Sequence, residues 1–159
     1  MGAALVACTE PNASTLASTG TLITNATVIY VTDGDTIGVK IDGAEERVRL
    51  IGIDTPETKK PNTPVQCFGP EATSFTKSLL PQGTALHVER DVEARDVYGR
   101  LLAYVYRSAD GLFVNMEIIG QGYARPLTIP PNVTHADEFV MAARNAESTN
   151  VGLWAGCSG

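Results

Sequence analysis

The sequence predicts an α+β domain: a five-stranded β-barrel with three helices packed against it. Two observations lead there. Five short β-rich runs are bounded by Asp-Gly turns or polar loops, while three stretches carry helical periodicity or helix-end signals. The composition, 43% hydrophobic and 19% charged, is that of a globular chain rather than a disordered one. Its 159 residues suffice for one domain with a real core.

The first run, Ala26 to Val31, leads into Asp33-Gly34-Asp35, a hairpin-like turn. Thr36 to Ile41 and Arg47 to Ile53 follow as strands, with Asp42-Gly43 turning between them. Strand alternation puts Arg47, Arg49 and Ile51 on one face and Val48, Leu50 and Gly52 on the other. An arginine pair therefore shares a strand face. Thr55 to Phe68 is a polar, Pro-containing loop. Pro70 and Glu71 both suit the first turn of a helix. Ala72, Phe75, Leu79 and Leu80 make its apolar stripe, and Pro81-Gln82-Gly83 ends it. Thr84 to Glu89 and Leu101 to Tyr106 are two more strands, joined through the segment from Arg95 to Arg100. A second helix spans about Phe113 to Gln121 and stops at Gly122. A third starts with Thr134 as cap and Asp137 three residues on, and runs to about Ser148. A five-stranded antiparallel barrel with helices at one end satisfies this order, the arrangement of OB-type folds.

Lys and Arg total 12 against 18 Asp and Glu, a formal charge of −6. A whole-surface attraction to nucleic acid is excluded, so any such binding needs a local basic cluster or a bound cation. No apolar run approaches the roughly 18–20 residues of a membrane helix. Residues 9–24 are rich in Thr, Ser, Ala, Asn and Gly and read as a flexible tether. Leu5-Val6-Ala7-Cys8 reads as a lipobox, with Cys8 the lipidation site; the alternative is a chance cysteine in a leader, since no charged segment precedes it. Residues 1–24 are thus expected to be leader and tether, and 25–159 the domain. The remaining Cys67 and Cys157 are an even pair in an apparently exported chain and read as a disulfide, the alternative being two free thiols.

Four short motifs could carry chemistry, and each has a bland explanation. Asp33-Gly34-Asp35-Thr36 makes a tight turn, and Asp54-Thr55-Pro56-Glu57 could be a turn in which Asp bonds its own backbone. Arg49 could be a solvated strand arginine, and Tyr98-Gly99-Arg100 a loop entering a strand. Together they say more. Asp35 and Asp54 sit at strand ends and Glu57 opens the next loop, so adjoining strands would bring three carboxylates to one mouth. Such a cluster repels itself unless a cation occupies it. Oxygen ligands without His or Cys favour Ca²⁺ or Mg²⁺ over zinc or copper. Two arginines facing the same mouth suit a phosphate. Cation, carboxylates and arginines make a phosphodiester site. His87 and His135 read as packing or surface residues, Trp154 as a core plug rather than a stacking platform, and Lys59 and Lys60 as a solvated loop edge, the alternative being phosphate contacts beside the site.

From about residue 25 to Trp154 the chain resembles the staphylococcal-nuclease or thermonuclease family. The matching stretches are D-G-D-T at Asp33, R-L-I-G-I-D-T-P-E from Arg49, F-G-P-E-A from Phe68 and Y-G-R-L-L-A-Y from Tyr98. Val114-Asn115, Thr134-His135 and Leu153-Trp154 continue the pattern. The resemblance implies Ca²⁺ held by the carboxylates of Asp35 and Asp54 and the carbonyl of Thr55. It implies Glu57 as general base, Arg49 and Arg100 as phosphate-binding arginines, and hydrolysis of DNA and RNA that leaves 3′-phosphates. The chain is expected to be a monomer, secreted or at the cell surface, touching a membrane only through the N-terminal lipid anchor that the lipobox would give. Two departures bear on substrate binding. Val97 stands where the family has a lysine, and Thr128 to Pro131 replace a tyrosine-bearing segment, while Tyr98 keeps a phosphate or sugar contact. The competing readings are a non-catalytic OB-type binding module and a calcium-binding surface lipoprotein.

Overall fold

The computed structural model describes residues 24–157, so the expected lipobox with Cys8 and nearly all of the expected tether lie outside the described residues. The strands are β1 (Ala26–Asp33), β2 (Thr36–Ile41), β3 (Ala44–Leu50), β4 (Gly52–Asp54), β5 (Ala85–Glu89), β6 (Leu101–Arg107) and β7 (Arg125–Leu127). The helices are α1 (Gly69–Leu79), α2 (Val114–Gly120), α3 (Ala136–Ser148) and the single turn α4 (Leu153–Gly156). Five strands close a barrel in the order β1-β2-β3-β6-β5, sealed where Ala26 and Thr27 pair with Leu86 and Ala85. Strand alternation fills it: Ile37, Val39, Val48, Leu50, Leu86, Ala103 and Val105 are all buried. Each large aliphatic side chain so enclosed contributes on the order of 1.5–3 kcal/mol.

The barrel is mixed, not antiparallel as expected. β3 and β6 run parallel, with Val48 opposite Leu101 and Leu50 opposite Ala103. Parallel neighbours need a long crossover, and α1 with β5 supplies it.

The expected strand from Arg47 to Ile53 is two strands. It breaks at Ile51-Gly52, where Gly52 has φ 81 and a Cβ would run into the ring of Phe139. Only glycine fits that turn. Ile51 therefore leaves the arginine face and is buried, and β4 swings out to pair with β7 in a separate ribbon. Buried Asn115 at the start of α2 holds the break: its Nδ2 donates to the Ile51 carbonyl at 2.9 Å and its Oδ1 accepts the Val105 N–H at 2.9 Å. Backbone groups freed by the turn thus stay satisfied.

α1 carries Pro70 and Glu71 in its first turn as expected, and its Thr76 Oγ1 donates to the Gly34 carbonyl at 2.7 Å. That bond ties the helix to the Asp33–Asp35 turn. α3 begins one residue later than expected: its N-cap is His135 and no side chain caps it. His135 packs edge-on against Tyr104 at 4.6 Å, a packing role as read from the sequence. The C-terminal plug is Leu153, not Trp154; the half-buried indole instead lies under the Arg125 guanidinium at 4.4 Å.

Cys67 and Cys157 are bonded, with Cα atoms 5.9 Å apart and a sequence separation of 90. In the chain-entropy description, closing so long a loop is worth on the order of 4–5 kcal/mol, a large share of a domain's usual ~5–15 kcal/mol. Cys67→Ser with Cys157→Ser should therefore lower the melting temperature by many degrees. Mass spectrometry with and without reductant should show no free thiol at these positions before reduction; an unchanged melt or two free thiols would sink the assignment.

Candidate active site

The β1–β2 turn delivers Asp35. Thr55 fills the space where a Cβ at Gly34 would fall, 2.7–2.8 Å from its side-chain atoms, so the turn closes only on glycine. Asp35 is buried, yet its carboxylate is well satisfied. Oδ2 accepts the Thr55 N–H at 2.8 Å and the Thr55 hydroxyl at 2.9 Å, and Oδ1 accepts the Thr36 hydroxyl at 3.2 Å. The register that sets Thr36 opposite Arg49 brings the guanidinium to the same place. Its Nη2 lies 3.2 Å from Asp35 Oδ2 and 3.0 Å from Asp54 Oδ1. Its Nη1 donates to the carbonyls of Leu50 and Ile53, each at 2.9 Å. Arg49 is thereby fixed in orientation across the β3–β4 break.

Glu57 is held by its own loop. Its Oε1 accepts the backbone N–H groups of Thr58, Lys59 and Lys60 at 2.9, 2.8 and 3.0 Å. The Lys59 N–H, with those of Lys60 and Thr58, holds its carboxyl below the usual range against the opposing effect of burial. The loop is closed at its neck by Gln66, whose Oε1 accepts the Glu57 N–H and whose N–H donates to the Glu57 carbonyl, both at 2.9 Å. Cys67 follows directly, so the disulfide pins that neck. The three carboxylates come to one cleft as expected, but not as one compact group. Among the described residues no group of three or more His, Cys, Asp or Glu side chains stands close enough to hold a metal. Asp35 and Asp54 converge on Arg49, and Glu57 is drawn into its own loop.

Arg100 is aligned by Asp96, whose Oδ2 accepts its Nε–H at 2.6 Å and whose Oδ1 accepts its backbone N–H at 3.0 Å. Among the described residues its two terminal amino groups have no partner. Tyr98 is 78% exposed, with the Arg100 guanidinium 5.4 Å from its ring centre. Asp35, Arg49, Asp54, Thr55, Glu57, Tyr98 and Arg100 all line one cleft of about 590 Å³, so every expected site residue outside the disulfide and Cys8 faces it.

The cleft also holds residues to which the sequence assigned no role in the site. Arg47 lies on its wall beside Arg49, Asp33 lies next to Asp35, and Asp96 and Gln66 act from behind. Asp33 had a signal, the doubled carboxylate of the Asp-Gly-Asp turn; Gln66 had none. Burial, reinforced by the charge of Asp35, pushes the Asp33 carboxyl up to about 6. Burial also raises Asp54, against the pull of Arg49 and with the help of Asp35 and Glu57. Arg47, Arg49, Lys59, Lys60 and Arg100 set five cations against the four carboxylates of Asp33, Asp35, Asp54 and Glu57. This is the local basic cluster that the bulk charge of −6 demands. Against Arg49 and Arg100 lies a second, more apolar cavity of about 340 Å³, lined in part by Val97, Leu127 and Ile129.

The family model for staphylococcal nuclease homologues matches residues 47–156. The chain is 45% identical over 124 residues to a thermonuclease of Staphylococcus intermedius, covering 78% of this chain and 72% of that protein. It is 41% identical over 127 residues to a thermonuclease of Staphylococcus hyicus, covering 80% and 73%. It is 40% identical over 134 residues to the endonuclease YncB of Bacillus subtilis, covering 83% and 62%. A family model matching more than half of the chain, joined to relatives this similar, shows that the chain belongs to the staphylococcal nuclease homologue family.

Proposed function

We propose that the chain is a calcium-dependent nuclease that hydrolyses phosphodiester bonds in DNA and RNA and leaves 3′-phosphate ends. The observation that carries this reading is the meeting, in one cleft, of oriented Arg49 and Arg100 with the carboxylates of Asp35, Asp54 and Glu57. The printed names of the relatives, thermonuclease and endonuclease, support it. The donor chemistry fits a hard cation. Asp35 and Asp54 already converge on one positive nitrogen, and both are oxygen donors of the kind a hard cation takes. Asp35, Asp54 and the Thr55 carbonyl would hold it, and Ca²⁺ would supply charge neutralisation and orientation of the phosphate.

The chain's own residues do the rest. Arg49 and Arg100 hydrogen-bond the phosphoryl oxygens that gain charge as water adds to phosphorus. The terminal amino groups of Arg100 are already free for this, while Asp96 fixes the plane. Glu57, held ionised by three N–H bonds to one oxygen, orients the water and takes its proton as the attack proceeds. The bond to the 5′-oxygen breaks, that oxygen leaves as a hydroxyl after protonation from solvent, and phosphate stays on the 3′ side. Tyr98 borders the phosphate or sugar. The disulfide suits an oxidising compartment, which supports a secreted or cell-surface location.

Activity should require Ca²⁺ and vanish in EGTA. Asp35→Ala or Asp54→Ala should weaken calcium binding measured by calorimetry; full turnover in EGTA without added metal would refute the metal assignment. Arg49→Lys keeps the charge but loses the two-pronged fork, and should cost roughly 10²-fold in kcat, with Arg100→Lys behaving alike. Glu57→Gln should lower kcat far more than it raises KM. Near wild-type rates in all three variants would remove the catalytic roles while leaving the fold intact.

Asp33 gives a pH signature. Its folded carboxyl titrates at about 6, above the ordinary value of about 3.9 for an unfolded chain. Ionised Asp33 therefore costs nothing below the unfolded value, and the cost grows until pH has passed the folded one. In EGTA, Asp33→Asn should raise the melting temperature near about pH 7 and leave it unchanged near about pH 4. A lower melting temperature for the variant near neutrality would contradict the electrostatic account.

A further inference from the structure

Arg47 is the arginine in the cleft wall that the mechanism above leaves unused. It is exposed, and among the described residues it makes no hydrogen bond or ion pair, whereas Arg95 and Arg107 are tied to Glu46 and Asp110. It stands two positions before Arg49 on the outward face of β3, while Val48 between them points into the barrel. Residues two apart on a strand are displaced by about 6.7 Å, close to the step between consecutive phosphates of an extended nucleic-acid strand. Arg47 is therefore placed one phosphate away from the group that Arg49 binds.

The surface beside it is aromatic. Arg47 pairs across the sheet with Gly38, and Gly38 pairs in turn with Tyr30 of β1. Gly38 has no side chain, and the Tyr30 ring occupies the space where its Cβ would be, so any larger residue would push the ring off. The ring is 38% exposed and is fixed at its far end, where the hydroxyl donates to Glu45 Oε1 at 2.8 Å. Lys59 and Lys60 add positive charge along the rim. A cation for the backbone and an aromatic face for a base are the two parts of a single-strand binding surface.

We propose that Arg47 and Tyr30 form a second nucleotide subsite, in which Arg47 holds the phosphate adjoining the one that is cut and the Tyr30 ring carries the neighbouring base or sugar. The subsite rests on the nuclease reading and makes the cleft favour strands longer than a dinucleotide. The test compares Arg47→Gln and Tyr30→Leu with wild type on a single-stranded octanucleotide and on a dinucleotide, with melting curves to confirm folding. Arg47→Gln should raise KM for the octanucleotide about ten-fold, the usual size of one lost charge-assisted contact, with kcat kept. Tyr30→Leu should act in the same direction, and the dinucleotide should change by less than about two-fold for either variant. In EGTA, anisotropy of a labelled octanucleotide should give a salt dependence of binding shallower by about 0.7 in log–log slope for Arg47→Gln. Equal losses on both substrates, or an unchanged slope, would overturn the subsite. If wild type cuts neither substrate, the nuclease reading fails, and the slope in EGTA still decides whether Arg47 holds a phosphate.

Discussion

The buried carboxylate of Asp35 is the point on which the cleft depends. It accepts both the N–H and the hydroxyl of Thr55, twenty positions along the chain, and pairs with Arg49 from a third segment. One side chain thus joins the β1–β2 turn, the end of β4 and the strand that carries the arginines. Removing one partner of a buried charge pair typically costs about 3–5 kcal/mol, because the other charge is left uncompensated. Against a total stability of ~5–15 kcal/mol, that makes the junction structural as well as functional. The glycine at position 34 follows from it, since Thr55 leaves no room for a Cβ.

A second constraint acts on the rim. Glu57 opens a loop that Gln66 closes, and the bond between Cys67 and Cys157 fastens that closure to the C-terminal turn. The loop carries Lys59 and Lys60 and donates three backbone N–H groups to Glu57, so its shape sets both the charge state and the position of that carboxylate. A segment of this length without regular structure would otherwise sample many arrangements, and ordering it costs roughly 1–2 kcal/mol per residue. The disulfide and the Glu57–Gln66 pair lower that cost by restricting the neck.

Charge is organised on the same local scale. The chain is acidic overall, yet the cleft gathers five cations, and carboxylates hold two of them in working orientations. Long-range attraction for a polyanion is weak under these conditions, because salt screens it beyond about 8–10 Å. Contact-range geometry has to supply the recognition, which is why the placement of Arg47 beside Arg49, and of Tyr30 beside Arg47, matters more than the net charge.

The sequence by itself determined the local elements and the identity of the cleft residues. Alternation, turn pairs and helix-end signals depend on near neighbours, so β1, β2, α1, β5, β6 and α2 lie close to where they were expected. Asp35, Arg49, Asp54, Thr55, Glu57, Tyr98 and Arg100 were legible because several weak motifs kept a specific order, and all of them line the cleft. Other features belong to the tertiary structure alone. The parallel pairing of β3 with β6 is a choice of neighbour across a long crossover, to which strand alternation is blind. The break at Gly52 is required by the ring of Phe139, which lies 87 positions away (139 − 52) and has no trace in the local pattern. Glu57 is oriented by three backbone donors of its own loop, a local closure that the order of the motifs does not reveal. Which side chains share a face follows from the period of a strand; which of them meet is decided by packing between segments far apart in the chain.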